Sequence, residues 1–284
     1  MLRVATWNLW GRFGPWEERQ PAIAATLAGL DADVVGLQEV WFDDAGDHQA
    51  DWLARGLDWP TAVAVPCAVP AGRRSRAALG NAVLSRWPLL DWHAQPLPDV
   101  DGRPGPRTVV HARLDHPAGP LDVFTTHLDH RPDGSRTRQA QVATVAAFVA
   151  RHRGDPERSF PPILTGDLNA PPTSDEVRML TGETAVPVRG IVFRDAWVHG
   201  GDGSPGFTWH RDNPWLADAL SPQRRLDYVL VGWPRRKGLG RVASCRVVDQ
   251  PVDGVQPSDH YAVVADLHTE PPSAPTNGVA GDTA

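Results

Sequence analysis

The stretch PPILTGDLNAPPTSDE, residues 161–176, sets how the rest of the chain is read. An apolar run ending at Leu164 leads into Asp167 and Asn169, and two prolines follow at Pro171 and Pro172. Side chains alternate along a strand, so residues two apart share a face. An acid and an amide placed this way face one target. On the N-terminal side, TRQAQVATVAAFVARH (137–152) has the apolar spacing of an amphipathic helix, and on the C-terminal side TSDEVRMLTG (173–182) predicts a short helix closed by Gly182.

Working outward, LRVATWNL (2–9), RQPAIAATLAGL (19–30) and DVVGLQEV (33–40) predict strand, helix, strand. The middle of the chain supplies short strands at TAVAV (61–65), LGNAVLS (79–85), RTVVHARL (107–114) and LDVFTTHL (121–128), separated by the turn signals RWP, PDVDGRPGP and DHPAGP. VFRDAW (192–197), RRLDYVLVG (224–232), RVASCRVV (241–248) and HYAVVADLH (260–268) predict later strands. Crossover helices beside hairpin-like strands do not fit a purely parallel sheet. Two mixed sheets packed face to face, with helices outside, accommodate both patterns. Residues 1–268 are expected to form one domain, and residues 269–284 have the composition of a disordered tail.

At 284 residues and 41% hydrophobic content the chain can bury a core with two layers of sheet. Twenty-eight basic against 34 acidic residues leave a net charge of −6, which excludes one large cationic surface for nonspecific nucleic-acid binding. Nearly all the positive charge is arginine, Lys237 being the single lysine, and compositional bias explains this as well as a preference for forked phosphate contacts. Cys67 and Cys245 stand alone, so neither a CxxC metal motif nor a disulfide framework is present. MLRVATWNLW lacks the basic and apolar regions of a signal peptide, and no apolar run approaches a membrane span. A cytoplasmic monomer without stable membrane association is the expectation.

Polar residues recur where strands end: Asn8, Glu39, His127, Asp167 with Asn169, Asp227, and Asp259 with His260. Each is costly in a core unless paired. Each taken singly also has an ordinary reading, as a turn or cap for Asn8, GDLN and SDH, a solvated strand end for Glu39, a hydrogen-bonded structural histidine for His127, or an ion pair of Asp227 with Arg225. Their joint order along the chain is the informative signal.

The segments TWNLW, LQEVW, GNAVLSRWP, THL, GDLN, RRLDYVLV and PSDHYAV, in this order, resemble the endonuclease/exonuclease/phosphatase family of metal-dependent phosphohydrolases, from about Val4 to Leu267. The resemblance implies a DNase I-like, four-layer α/β/β/α sandwich. It implies that Asn8, Glu39 and Asp259 hold a metal, Glu39 being the principal ligand, and an all-oxygen set of this kind suits Mg²⁺ or Mn²⁺. It further implies that Asp167 orients or deprotonates the attacking water, Asn169 contacts the phosphate, Asp227 orients the essential His260, and His127 binds phosphate or assists the leaving group. Asn81 in GNAVLS is equally open to a structural and a functional role.

The expected activity is divalent-metal-dependent phosphodiester hydrolysis, with nucleic acid as the substrate. A sphingomyelinase-type lipid phosphodiesterase, a small-molecule phosphoesterase and a catalytically silent phosphate-binding scaffold are the alternatives. RRLDYVL stands where the inositol-polyphosphate phosphatase branch has a PAWCDR-like segment, which disfavours that branch, and the filled catalytic positions disfavour the scaffold. Substrate choice resides in loops. Arg73, Arg74 and Arg76 in AGRRSRAALG offer either a phosphate grip or a solvated charge run, and Trp16, Trp41, Trp209 and Trp215 offer either stacking surfaces or ordinary packing.

Overall fold

The computed structural model describes residues 1–67, 78–217, 220, 222–235 and 238–269. Strand β1 (Leu2–Asn8), helix α1 (Trp16–Leu30) and strand β2 (Val34–Phe42) form a crossover unit whose two strands pair in parallel. Helix α2 (Gln49–Gly56), β3 (Thr61–Pro66), β4 (Ala78–Ser85), β5 (Leu89–Pro98), β6 (Pro104–Leu114) and β7 (Leu121–His127) follow. A second parallel crossover joins β7 through α3 (Ser135–His152) to β8 (Ile163–Asp167). The chain then runs through α4 (Asp175–Thr181), β9 (Phe193–Asp195), α5 (Ala196–Gly200), β10 (Asp227–Gly232), β11 (Val242–Val248) and β12 (Ala262–Leu267).

These strands make two six-stranded mixed sheets, in the order β11-β12-β1-β2-β4-β3 and β5-β6-β7-β8-β10-β9. Between them lies an aliphatic core that includes Val4, Val34, Val83, Val123, Ile163, Val229 and Val263. The outer face of the first sheet is covered by α1 and α2 through Ile23, Leu27 and Leu53, and that of the second by α3 and α4 through Val142, Phe148 and Val177. The fold is therefore the four-layer sandwich. Among the described residues, no helix is long and apolar enough to cross a membrane.

The polar interior near one rim requires close approach of the sheets. A Cβ on Gly36 of β2 would lie 2.0 Å from Thr165 Oγ1 across the interface, so only glycine fits there. Gln38 bridges the same gap, donating to Thr125 Oγ1 at 3.0 Å. Asn81 is a further tie, its buried amide donating to Thr108 O at 2.8 Å, so the structural reading of this residue is the one its contacts match.

Three elements depart from the sequence expectation. Strand β5 carries Pro96 and Pro98 and is mostly exposed, an arrangement that only an edge strand tolerates, so neither alternation nor apolar content marks it. Helix α2 is short and lies in a polar segment. VFRDAW is a three-residue strand whose Asp195 caps α5 by accepting from Trp197 N–H, which ends the extended run at Asp195.

Candidate active site

The pairing of strands places the polar residues side by side. In the second sheet His127 of β7 is the register partner of Asp167 of β8, and Asp227 of β10 is the antiparallel partner of the same Asp167. A row of three catalytic-type side chains on adjacent strands results. Gly166 makes the row possible: its φ of +154° and a Cβ position 2.2 Å from Thr126 O leave no room for a side chain. From the first sheet, Asn8 at the end of β1 reaches across and donates to Asp167 Oδ2 at 3.1 Å.

Glu39 projects from an irregularity in β2. The β2/β4 register shifts between Leu37 and Val40, and Glu39 has φ +53°. A bulge of this type re-aims one side chain out of the alternation. The turn after β8 departs from the expected strand face: β8 stops at Asp167, and Asn169 adopts φ +50° while its N–H donates to Asp167 Oδ1 at 2.8 Å. Asp167 and Asn169 thus meet through an Asx-type turn rather than strand alternation. The Asn169 side-chain amide also donates to Leu128 O at 3.1 Å, which sets its orientation.

His260 is held from several sides. Its Nδ1 lies 2.8 Å from Asp227 Oδ2, its carbonyl accepts from Trp7 Nε1–H at 2.9 Å, and the Trp209 ring packs edge-on with centroids 4.9 Å apart. Asp227 Oδ2 also accepts from Thr208 Oγ1–H at 2.5 Å. The His260 Nε2 points towards Asp167 Oδ2 at 3.8 Å, too long for a hydrogen bond, so this N–H faces the pocket.

Two residues that the sequence did not single out complete the site. Arg107 Nη1 lies 2.9 Å from His127 Nδ1. A guanidinium only donates, so His127 Nδ1 accepts and its Nε2 carries the proton, 3.4 Å from Asp167 Oδ2. Arg19, fully buried in α1, donates to the carbonyls of Leu9, Trp10, Gly11, Phe13 and Pro257, pinning the loops that carry Asn8 and Asp259. Neither belongs to a recognisable motif, and only their tertiary partners reveal them. Of the tryptophans, Trp16 and Trp41 meet edge to face with Arg12 over both rings at 4.8 and 4.1 Å, and Trp215 packs on Trp10 at 5.5 Å. Arg73, Arg74 and Arg76 lie outside the described residues, as does the tail from residue 270.

The electrostatics separate the groups. Burial and the nearby Asp227 push Asp167 up to about 6, and burial with the neighbouring Glu39 pushes Asp259 up to about 7. Burial also raises Glu39. Burial opposes the charge on His260, but Asp227, Asp167 and Asp259 together hold its pKa well above the ordinary value. His127 is held well below it by burial and Arg107, and stays neutral. The pocket therefore concentrates carboxylates that lack sufficient countercharge. Oxygen donors from Glu39, Asp259 and Asn8 in such a pocket fit a hard divalent cation.

A pH prediction follows from Asp259. Its carboxyl keeps a proton in the folded metal-free protein up to about 7, whereas the ordinary value is 3.8, so the folded state binds more protons and stability falls as pH rises through that window. Between about pH 5 and about pH 8, metal-free protein should lose on the order of 2–3 kcal/mol relative to Asp259→Asn, at roughly 1.4 kcal/mol per pKa unit. Denaturant unfolding in chelator at both pH values checks this, and parallel pH profiles of the two proteins would contradict it.

A sequence profile of the Endonuclease/Exonuclease/phosphatase family matches residues 5–260. The chain belongs to the endonuclease/exonuclease/phosphatase family. Members of this family are hydrolases of phosphoesters and are generally dependent on a divalent metal. The chain is 31% identical over 216 residues to an inositol phosphosphingolipids phospholipase C of Schizosaccharomyces pombe, covering 69% of this chain and 46% of that protein. It thus spans about half the length of this curated relative. Among solved structures, a family member from Beutenbergia cavernae superposes with TM-score 0.72 at 26% identity, over 96% of this chain and 73% of the other. The human Nocturnin catalytic domain with bound sulfate superposes with TM-score 0.71 at 21% identity, over 94% of both chains, a likeness of fold.

Proposed function

We propose that this family member is a divalent-metal-dependent phosphodiesterase in which Asp167 is the general base. The observation that carries this reading is the row His127, Asp167, Asp227 with the Asp227-bound His260 facing it. Glu39, Asp259 and Asn8 would hold an ion such as Mg²⁺ or Mn²⁺, which would supply Lewis-acid neutralisation of the phosphate charge. Asp167, raised to about 6, is poised to take a proton from water near neutral pH. As the water oxygen bonds to phosphorus and the ester oxygen leaves, the His260 and His127 Nε2–H groups donate to the developing charge. Asn169, fixed by its turn, donates to a phosphate oxygen, and Arg107 keeps His127 in the donating tautomer.

Nucleic acid is the first substrate reading, supported by Arg12 in the corner between the edge-to-face rings of Trp16 and Trp41, the latter two residues along β2 from Glu39, which sets a cation and indole surface beside Glu39 for a phosphate and a base. A phosphosphingolipid head group is the second, supported by the named activity of the Schizosaccharomyces pombe relative and by Phe13, 49% exposed beside Trp10 on the loop after Asn8. Turnover of single-stranded DNA, RNA, abasic duplex, sphingomyelin vesicles and bis-p-nitrophenyl phosphate, with Mg²⁺ or chelator, separates them. On the lipid reading, Phe13→Ser lowers vesicle turnover by about tenfold or more, since burying one Phe is worth roughly 1.5–3 kcal/mol, and leaves soluble bis-p-nitrophenyl phosphate unaffected. Cleavage of DNA or RNA alone selects the nucleic-acid reading. No metal-dependent turnover of any of these would reject the phosphodiesterase itself.

A further inference from the structure

On the outer face of the second sheet, beneath the C-terminal end of α3, three histidines from three elements meet. His93 of β5 and His111 of β6 are direct partners in the antiparallel ladder, and His152 is the last residue of α3. Ring centroids are 4.1 Å apart for His93 and His152 and 5.5 Å for His111 and His152, and one nitrogen of each ring lies within 4.8 Å of the others. His111 is four residues along β6 from Arg107, about 13 Å at 3.3 Å per residue, so this cluster is separate from the phosphate pocket.

The hydrogen bonding gives the cluster a direction. His111 is 2% exposed, and its Nε2 lies 2.9 Å from Asp122 Oδ1. Asp122 is itself buried and fixed, its Oδ2 accepting from Gly154 N–H at 2.7 Å. A carboxylate only accepts, so the His111 proton sits on Nε2 and Nδ1 is a bare lone pair. That Nδ1 is buried and has no hydrogen-bond partner. Ring packing explains why imidazoles gather, as on Phe124 at 4.6 Å from His111, but it does not satisfy this lone pair. Nearer solvent, His93 has a carboxylate close to one ring nitrogen, with Nε2 3.0 Å from Asp91 Oδ2. A carboxylate on one ring nitrogen and a free lone pair on the other is the arrangement by which proteins present imidazole to a metal.

We propose that His93, His111 and His152 form a second metal site, for Zn²⁺ or another late first-row divalent ion, which ties the end of α3 to the edge strand β5. Imidazole selects such ions over Mg²⁺, and three protein ligands leave one position for water. Metal–nitrogen bonds of about 2.0–2.1 Å set nitrogens about 3.4 Å apart in a tetrahedral site, so binding draws the rings together by roughly an ångström. The half-buried His93 and His152 can supply that movement.

The test is Zn²⁺ and Co²⁺ binding to the full chain with Mg²⁺ in excess, read by metal content after gel filtration, by the Co²⁺ visible spectrum and by thermal stability. One ion per chain is expected, with a raised melting temperature. Binding should be lost in both His93→Ala and His152→Ala, which sit at the surface side and leave circular dichroism unchanged. Asp122→Asn should weaken it about 10–100-fold. No bound ion in the wild type, or affinity unchanged in the two histidine variants, would overturn the proposal.

Discussion

Glu39→Gln is expected to abolish Mg²⁺-dependent phosphodiester hydrolysis, by about three orders of magnitude or more, while the protein stays folded. The size follows from the several kcal/mol that metal charge stabilisation contributes, at roughly 1.4 kcal/mol per tenfold in rate. Glu39 sits on a bulge with left-handed backbone, and its side chain projects into the pocket rather than the aliphatic core. Glutamine keeps the shape and removes the charge. Because burial already raises the Glu39 carboxyl, the metal-free variant should be at least as stable as the wild type at neutral pH. Turnover of bis-p-nitrophenyl phosphate across a Mg²⁺ titration, beside unfolding curves in chelator, checks both statements. Activity within tenfold of wild type at saturating Mg²⁺ would remove Glu39 from the metal site.

His260→Ala should lower turnover by about two to four orders of magnitude. Asp227→Asn should lose a comparable amount by another route. Asp227 Oδ2 accepts from both His260 Nδ1–H and Thr208 Oγ1–H, and the neighbouring Asp227 Oδ1 is buried without a partner, so no acceptor faces the place an amide NH2 would take. An asparagine oxygen in the Oδ2 place keeps both hydrogen bonds but leaves its NH2 buried without an acceptor, and in either orientation the negative charge that helps sustain the His260 imidazolium is lost. A pH–rate profile distinguishes this from simple damage: with wild-type protein the alkaline fall reports His260, and in Asp227→Asn that fall should move to lower pH. An unmoved alkaline limb together with a loss below tenfold would make the pair a structural contact.

Much of the candidate site was legible because its residues lie in short strand-end motifs. TWN, LQE, GDLN, LDY and SDH each contain a candidate side chain beside an apolar run, so Asn8, Glu39, Asp167, Asn169, Asp227, Asp259 and His260 can be singled out one by one as candidates. Arg107, Arg19, Gln38 and Thr208 could not. Arg107 is one arginine among 27, and nothing local distinguishes it from a solvated strand residue; only its contact with His127 does. The histidines His93, His111 and His152 are likewise scattered over 60 residues, each unremarkable alone.

Strand and helix order, fixed by apolar period and turn chemistry, determined the two-sheet sandwich and the residue types at its rim. Tertiary structure alone decided which of those residues touch. Register places His127, Asp167 and Asp227 in one row because parallel β7/β8 and antiparallel β8/β10 pairing happen to align there, and pairing is a property of strands distant in the chain. The charge states were decided in the same way. An aspartate in isolation has an ordinary pKa, and it takes burial beside other carboxylates, from strands that meet only in the folded sandwich, to raise Asp167 and Asp259 and to keep His260 protonated.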